Sequence, residues 1–150
     1  MTSGTFPNVL AAFGSSLGLE GLSLDEYQSC TLVIDTVMLT LQWKEEAESL
    51  LVYAPVGRLR AVDDPASLYR HFLEANCLGG GTGGLTLGVQ AGLEAVILSG
   101  RLPTRGLEAE ALDAYIRVFA DQVEFWMADI RDFGATPTEQ NGLSGNMLRV

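Results

Sequence analysis

Pro65 to Val89 reads PASLYRHFLEANCLGGGTGGLTLGV: a helix, a glycine block and a strand in one run. Asp63 or Asp64 offers a carboxylate to the free N–H groups of a first helical turn, and Pro65 suits the first helical position because the N–H it lacks would be unpaired there. Leu68, Phe72 and Leu73, with Ala75 and Asn76 behind them, recur at helical spacing. Gly79, Gly80 and Gly81 are expected to supply the positive-φ conformations that end a helix. Leu85 to Val89 then reads as a short strand, so a helix interrupts a series of strands.

Upstream lie three strand-like runs, Gln28 to Ile34, Met38 to Lys44 and Ser49 to Pro55. Cys30, Leu32 and Ile34 alternate with Thr31 and Val33, and Leu39, Leu41 and Trp43 alternate with Met38, Thr40 and Gln42, giving each strand one apolar and one mixed face. The connections Asp35 to Val37 and Glu45 to Glu48 are too short for a parallel return, which predicts an antiparallel meander. Before the meander, Phe6, Val9, Leu10, Phe13 and Leu17 mark one face of a short helix weakened by Gly14 and Gly18. Its Phe6, Leu10 and Phe13 face is a candidate for sharing with a ligand, because so short a helix is marginal without tertiary support.

Downstream, Ala95 to Ser99 reads as a second strand, joined to Leu85–Val89 by a turn that Gly92 suits. The two make a second hairpin or extend the first sheet. From Leu107 to about Phe133, Leu112, Ile116, Phe119, Val123, Trp126, Ile130 and Phe133 recur at steps of 4 and 3, with Glu110, Asp113, Asp121, Glu124 and Asp132 opposite. Such a helix is ~40 Å long and should lie across a sheet with one side in water. Gly134 is expected to stop it. The fold class is therefore α+β, in the order α-β-β-β-α-β-β-α, a twisted and mainly antiparallel sheet packed against helices. One domain is expected over residues 1–133, with 134–150 a flexible tail rich in turn formers.

With 150 residues the chain can bury roughly 70% of its unfolded surface in a single core. Its net charge of −10 disfavours nucleic acid and anionic membrane surfaces and favours basic partners. The mean hydropathy of +0.21 leaves apolar surface over for a partner or a second subunit. No apolar run approaches the ~20 residues of a membrane span, and the first residues lack the charged region of a secretory signal, so a cytoplasmic protein is expected. Cys30 and Cys77 have no metal-ligand spacing and read as buried free thiols.

Catalytic readings find little support. Gly79, Gly81 and Gly84 satisfy G-x-G-x-x-G, but that motif needs a strand before it and a helix after it, and here the order is reversed. His71 is the only histidine, so a triad or metal site would have to be built around it; it reads as a surface or interface residue. The acidic clusters Asp25-Glu26, Glu45-Glu46-Glu48 and Asp63-Asp64 fall in turns and helix starts, where solvation and capping explain them. No catalytic residue, metal ligand or cofactor is expected.

Several strings, in order, resemble the class I type III secretion chaperones, the family of the Tir chaperone: LSLDEYQSCTLVI from Leu22 to Ile34, Phe72-Leu73-Glu74-Ala75-Asn76, Gly84-Leu85-Thr86-Leu87-Gly88, and the Leu98 to Pro103 turn into the last helix. The resemblance runs from about Asn8 to Phe133. It implies a bacterial cytoplasmic homodimer, built through the central helix and its adjoining strand, that binds an extended N-terminal segment of a secreted virulence effector, with no enzymatic activity and no ATP. An open sheet edge and apolar pockets suit that task. Partner contacts are expected at Leu10, Phe13 and Leu17 of the first helix and at Leu32, Ile34, Leu39 and Leu41 of the sheet, and dimer contacts at Leu68, Phe72 and Leu87. The alternatives are a general protein-interaction or regulatory module, and a small enzyme using His71 with a cysteine or carboxylate.

Overall fold

The computed structural model describes residues 5–135. In chain order the elements are α1 (Phe6–Ser16), β1 (Ser29–Ile34), β2 (Val37–Lys44), β3 (Ser49–Arg58), α2 (Pro65–Asn76), β4 (Thr86–Gln90), β5 (Ala95–Pro103) and α3 (Ala109–Ala135), with 3-10 turns at Leu59–Ala61 and Cys77–Gly79. This is the α-β-β-β-α-β-β-α order expected from the sequence. The strands form one open antiparallel sheet in the order β1-β2-β3-β5-β4, so the second hairpin extends the first sheet. The chain divides into two compact units, Met1–Ala54 with Gly100–Asp121, and Pro55–Ser99 with Gln122–Val150.

In the first unit, β1 and β2 are joined by a two-residue turn in which Asp35 takes a φ of 58°, a conformation aspartate tolerates better than most residues. The register Cys30↔Leu41, Leu32↔Leu39 and Ile34↔Val37 gathers the apolar residues on one face. The Phe6 ring meets Trp43 of that face with centroids 5.8 Å apart, and α1 buries Phe6, Val9, Leu10 and Phe13. Leu112, Ile116 and Phe119 of α3 are also buried. Each such side chain contributes about 1.5–3 kcal/mol when fully buried. Gly14 is needed for closeness: a Cβ there would stand 2.7 Å from Leu22 Cβ and 2.8 Å from the Leu19 carbonyl, because the Leu19–Leu22 connector lies directly on α1.

Strand β3 runs three residues beyond the expected end at Pro55. Its ladder with β2 stops at Thr40↔Tyr53, just before Pro55, whose missing N–H removes a ladder bond but whose φ still permits an extended chain. Strand β5 likewise continues through Gly100 to Pro103, where the sequence predicted a turn; its register with β4 ends at Thr86↔Ser99, so this extension runs past the end of β4. At its exit the Thr104 N–H donates to the Glu48 carbonyl, and Arg105 Nε donates to the Glu48 carboxylate at 2.7 Å. That hydrogen bond, then the charge of Arg105, holds the Glu48 carboxyl below its ordinary range.

In the second unit, the Asp64 carboxylate accepts from Ser67 Oγ at 2.6 Å and from the Ser67 N–H at 3.4 Å, the cap foreseen for α2. The hydroxyl bond is the larger reason why the Asp64 carboxyl titrates below its ordinary value. Leu68 and Phe72 point inward, the Phe72 ring edge-on to buried Trp126 at 6.3 Å, but Leu73 is 70% exposed.

The glycine block differs from expectation. Positive φ occurs at Leu78 (57°), Gly79 (71°), Gly83 (65°) and Gly84 (92°), whereas Gly80 is right-handed, at φ −66°, and Gly81 is not among the positive-φ glycines. Gly81 is required for another reason: its N–H bonds the Ala75 carbonyl at 2.8 Å, and a Cβ would come 2.8 Å from Ala75 Cα. The block folds back on the end of α2. In the β4–β5 turn the left-handed residue is Glu94 (φ 53°), and Gly92 is not needed for it. Cys77 is exposed, a correction to its expected burial; it falls just past the last turn of α2, on a 3-10 turn, and only Cys30 is buried. α3 begins two residues after Leu107 and passes through Gly134 to Ala135, since a single glycine lowers helix stability by only about 1 kcal/mol. The remainder of the expected tail, 136–150, lies outside the described residues.

Candidate partner-binding surfaces

β1 forms one end of the sheet, with β2 as its strand neighbour. In a two-residue hairpin the residues flanking the turn form the hydrogen-bonded pair, so Ile34, Leu32 and Cys30 bond to β2 while Ser29, Thr31 and Val33 turn their N–H and C=O groups outward. Ser29 is already occupied. The Asp25 N–H donates to its carbonyl at 2.9 Å, and Asp25 Oδ1 accepts from the Ser29 N–H at 3.0 Å and the Tyr27 N–H at 2.8 Å. Among the described residues the open stretch of edge therefore begins at Thr31 and ends at Val33.

Beside it, on the face away from α1, Val33 is 63% exposed and its cross-strand partner Met38 54%, while the Thr31 and Thr40 hydroxyls share a hydrogen bond of 3.1 Å. An apolar pair and a hydroxyl pair thus flank two free backbone positions. Val33 and Met38 were not among the expected contact residues, because they belong to the mixed face; an apolar residue in the polar register of a strand was the available signal.

Of the expected partner residues, Leu10, Phe13, Leu32, Leu39 and Leu41 are buried in the first unit, and Leu17 and Ile34 are half-buried. All seven belong to the one unit. Cys30 lies among them, and its burial, with a smaller push from the Asp25 carboxylate, raises its thiol above the ordinary value. The thiolate is correspondingly scarce.

The expected dimer residues Leu68, Phe72 and Leu87 are buried in the second unit. The outward surface there is carried by Tyr69 and Leu73, one helical turn apart on α2, and by Leu78, which is 100% exposed. Asn76, the last residue of α2, reaches β4: Leu87 N–H donates to Asn76 Oδ1 at 2.9 Å and Asn76 Nδ2 donates to the Leu87 carbonyl at 3.0 Å.

His71 Nε2 lies 2.6 Å from Asp129 Oδ2, an α2–α3 link. Both side chains are about one-third exposed. The imidazole is enclosed by Phe133 (5.2 Å, stacked), Trp126 (5.6 Å) and Phe72 (6.2 Å). A triad needs a hydroxyl or thiol on the far ring nitrogen, and the described neighbours of this ring are a carboxylate and three aromatic rings. The geometry is that of a packed interhelical pair. Among the described residues no helix is long and apolar enough to cross a membrane, and no cluster of three His, Cys, Asp or Glu side chains could hold a metal ion.

Residues 8–127 match the model of the Tir chaperone protein (CesT) family. No curated protein matches the sequence. Among solved structures, a chain of the ExsC–ExsE complex is 26% identical with a TM-score of 0.74, over 85% of this chain and 94% of that one. A chain of the HopA1–SchA chaperone–effector complex is 22% identical with a TM-score of 0.65, over 85% and 93%. The Yersinia pestis type III secretion chaperone SycH, solved with a fragment of YscM2, gives 20%, 0.63, and 81% and 99% coverage. The last two bear on the fold alone.

Proposed function

Because the chain belongs to the Tir chaperone (CesT) family, we propose that it is a non-enzymatic type III secretion chaperone that works as a homodimer. It holds an extended N-terminal segment of a secreted effector in the bacterial cytoplasm and keeps it soluble and competent for export. The observation that carries this reading is the open β1 edge, with free N–H and C=O groups at Thr31 and Val33 beside the exposed Val33–Met38 pair.

An extended client adds to β1 as a strand. Its backbone supplies affinity, and alternate side chains lie on Val33 and Met38. Half-buried Leu17 and Ile34 extend the contact; Leu10, Phe13, Leu32, Leu39 and Leu41 lie beneath and support the surface from inside. The ExsC–ExsE complex is a likeness in which a related chain is held with a second polypeptide.

The homodimer forms through the outward side of α2, by Tyr69 and Leu73, over the buried Leu68, Phe72 and Leu87. Two client surfaces on one dimer raise the effective concentration of the second contact. Residues 1–133 act as one chaperone domain, and α3 carries the chain on through Ala135. No cofactor takes part.

Affinity capture of the tagged full chain from its native cytoplasm, with mass spectrometry and light scattering of the eluate, tests this. The expected result is a secreted protein bound through its N-terminal region at one chain per chaperone dimer. A bare monomer would overturn the reading.

A further inference from the structure

Backbone groups at a sheet edge pair with any extended chain alike, so the register of a segment added to β1 has to be set by side chains. Thr31 and Val33 each turn an N–H and a C=O outward, and these groups read no sequence. The Ser29 N–H and carbonyl are already held by Asp25, so an added strand cannot run on past Thr31 and fix its register by length. The side chains beside the free groups differ from one position to the next. On the face away from α1, one row across the sheet carries the hydroxyl residues Thr31, Thr40 and Tyr53, and the neighbouring row carries Val33 and Met38.

The two rows satisfy different side chains. Thr31 Oγ1 and Thr40 Oγ1 lie 3.1 Å apart, and one donates to the other. A hydroxyl has one donor site and two acceptor sites, so this bond leaves Thr31 able to make another toward the edge. Thr31 is exposed, and water fills that site until a strand covers it. An apolar side chain placed opposite Thr31 removes the water and offers no hydrogen bond in its place. Val33 and Met38, also exposed, present apolar surface, and a polar side chain opposite Val33 finds no partner there.

We propose that Thr31 and Val33 are specificity-determining residues: they select an extended segment with an apolar side chain opposite Val33 and a serine or threonine hydroxyl opposite Thr31. This selection rests on β1 being the client edge and adds the chemistry of the segment that the edge takes. The sheet is antiparallel, and parallel pairing is slightly less stable per residue, so the client adds antiparallel. It then meets Val33 first and Thr31 two residues later, and its pattern from N- to C-terminus is an apolar residue, any residue, a hydroxyl residue. A slip of one residue turns both side chains to the other face. A slip of two sets an apolar side chain on Thr31 or a hydroxyl on Val33. One register satisfies both positions.

The test is an NMR titration of the isotope-labelled full chain, read at the Thr31 and Val33 amides, with two synthetic peptides. Both have the same lysine-ended frame, whose charge suits a chain of net charge −10. They differ only at the centre, Val-Ser-Thr in one and Thr-Ser-Val in the other. The wild type is expected to bind the Val-Ser-Thr peptide about threefold or more tightly, the combined worth of two matched cross-strand pairs. Thr31→Val together with Val33→Thr exchanges the two positions, keeps both β-branched, and should invert the preference in a chain that circular dichroism shows folded. Thr31→Val alone should bring the two peptides to equal affinity, and it serves if the exchanged chain does not fold. Equal affinities in the wild type, a wild-type preference for Thr-Ser-Val, or a preference that the variants leave unchanged overturns the selection while β1 stands as the client edge. No shift at either amide with either peptide overturns the client edge as well.

Discussion

Val33 and Met38 stand opposite each other across β1 and β2, both exposed, at the pairing position where the backbone of Val33 faces away from β2. A cross-strand pair at such a position brings its Cα atoms to about 4.5 Å, so the two side chains form one apolar patch. Val33→Asp places a charge in that patch and removes no buried contact. Binding of the captured effector's N-terminal segment, followed by calorimetry, should weaken by about tenfold or more, while the thermal midpoint stays within a few degrees.

Phe13 carries the opposite expectation. It is buried on α1, so Phe13→Ala should cost about 3–5 kcal/mol in urea unfolding, by lost transfer energy and a cavity. Loss of client binding without loss of stability would show instead that Phe13 meets the client directly.

Gly14→Ala is a case where helix propensity and packing disagree. Alanine is favoured over glycine by about 1 kcal/mol inside a helix, yet its Cβ would stand 2.7 Å from Leu22 Cβ and 2.8 Å from the Leu19 carbonyl. Overpacking costs typically about 1–3 kcal/mol, and one of the two clashing atoms is backbone, so net destabilisation is expected in the same urea assay.

Leu73→Glu tests the dimer surface. Leu73 is exposed, one turn from Tyr69, and its replacement leaves Leu68 and Phe72 in place. Light scattering should fall from a dimer to a monomer with the circular dichroism spectrum unchanged.

The two thiols should separate by reactivity. Cys77 is exposed, whereas burial first and Asp25 second raise the Cys30 thiol. A raised thiol pKa means less thiolate at a given pH, so alkylation near pH 8 should label Cys77 readily and Cys30 only as the protein opens. Equal rates on the folded protein would contradict the placement of β1.

The proportions in which the fold was legible follow from what each signal depends on. The cap at Asp64, Pro65 at the start of α2, and the 3-and-4 spacing from Leu112 to Ile130 depend on neighbours within a turn or two, and all three are realised. β3 and β5 extend three and four residues past the ends that the sequence predicts, because Pro55, Gly100 and Pro103 look like breaks until their place in the sheet is known. The positive φ at Leu78 and Glu94 has no local signature, since turn closure imposes it on residues that would not choose it.

Periodicity in this sequence determined the order of elements and the two faces of β1 and β2, and short strings carried the resemblance to the family, because hydrophobic spacing and short strings are properties of the chain itself. Which apolar residues are covered was decided only in the tertiary structure. Leu68 and Leu73 belong to the same helical stripe, yet one is buried and the other lies in water. Which backbone groups at the sheet edges stay free was also decided there. Asp25 occupies Ser29, and Asn76 bonds Leu87 across a separation of eleven residues. Burial and edge closure are set by what arrives from elsewhere in the chain, and no local pattern records that.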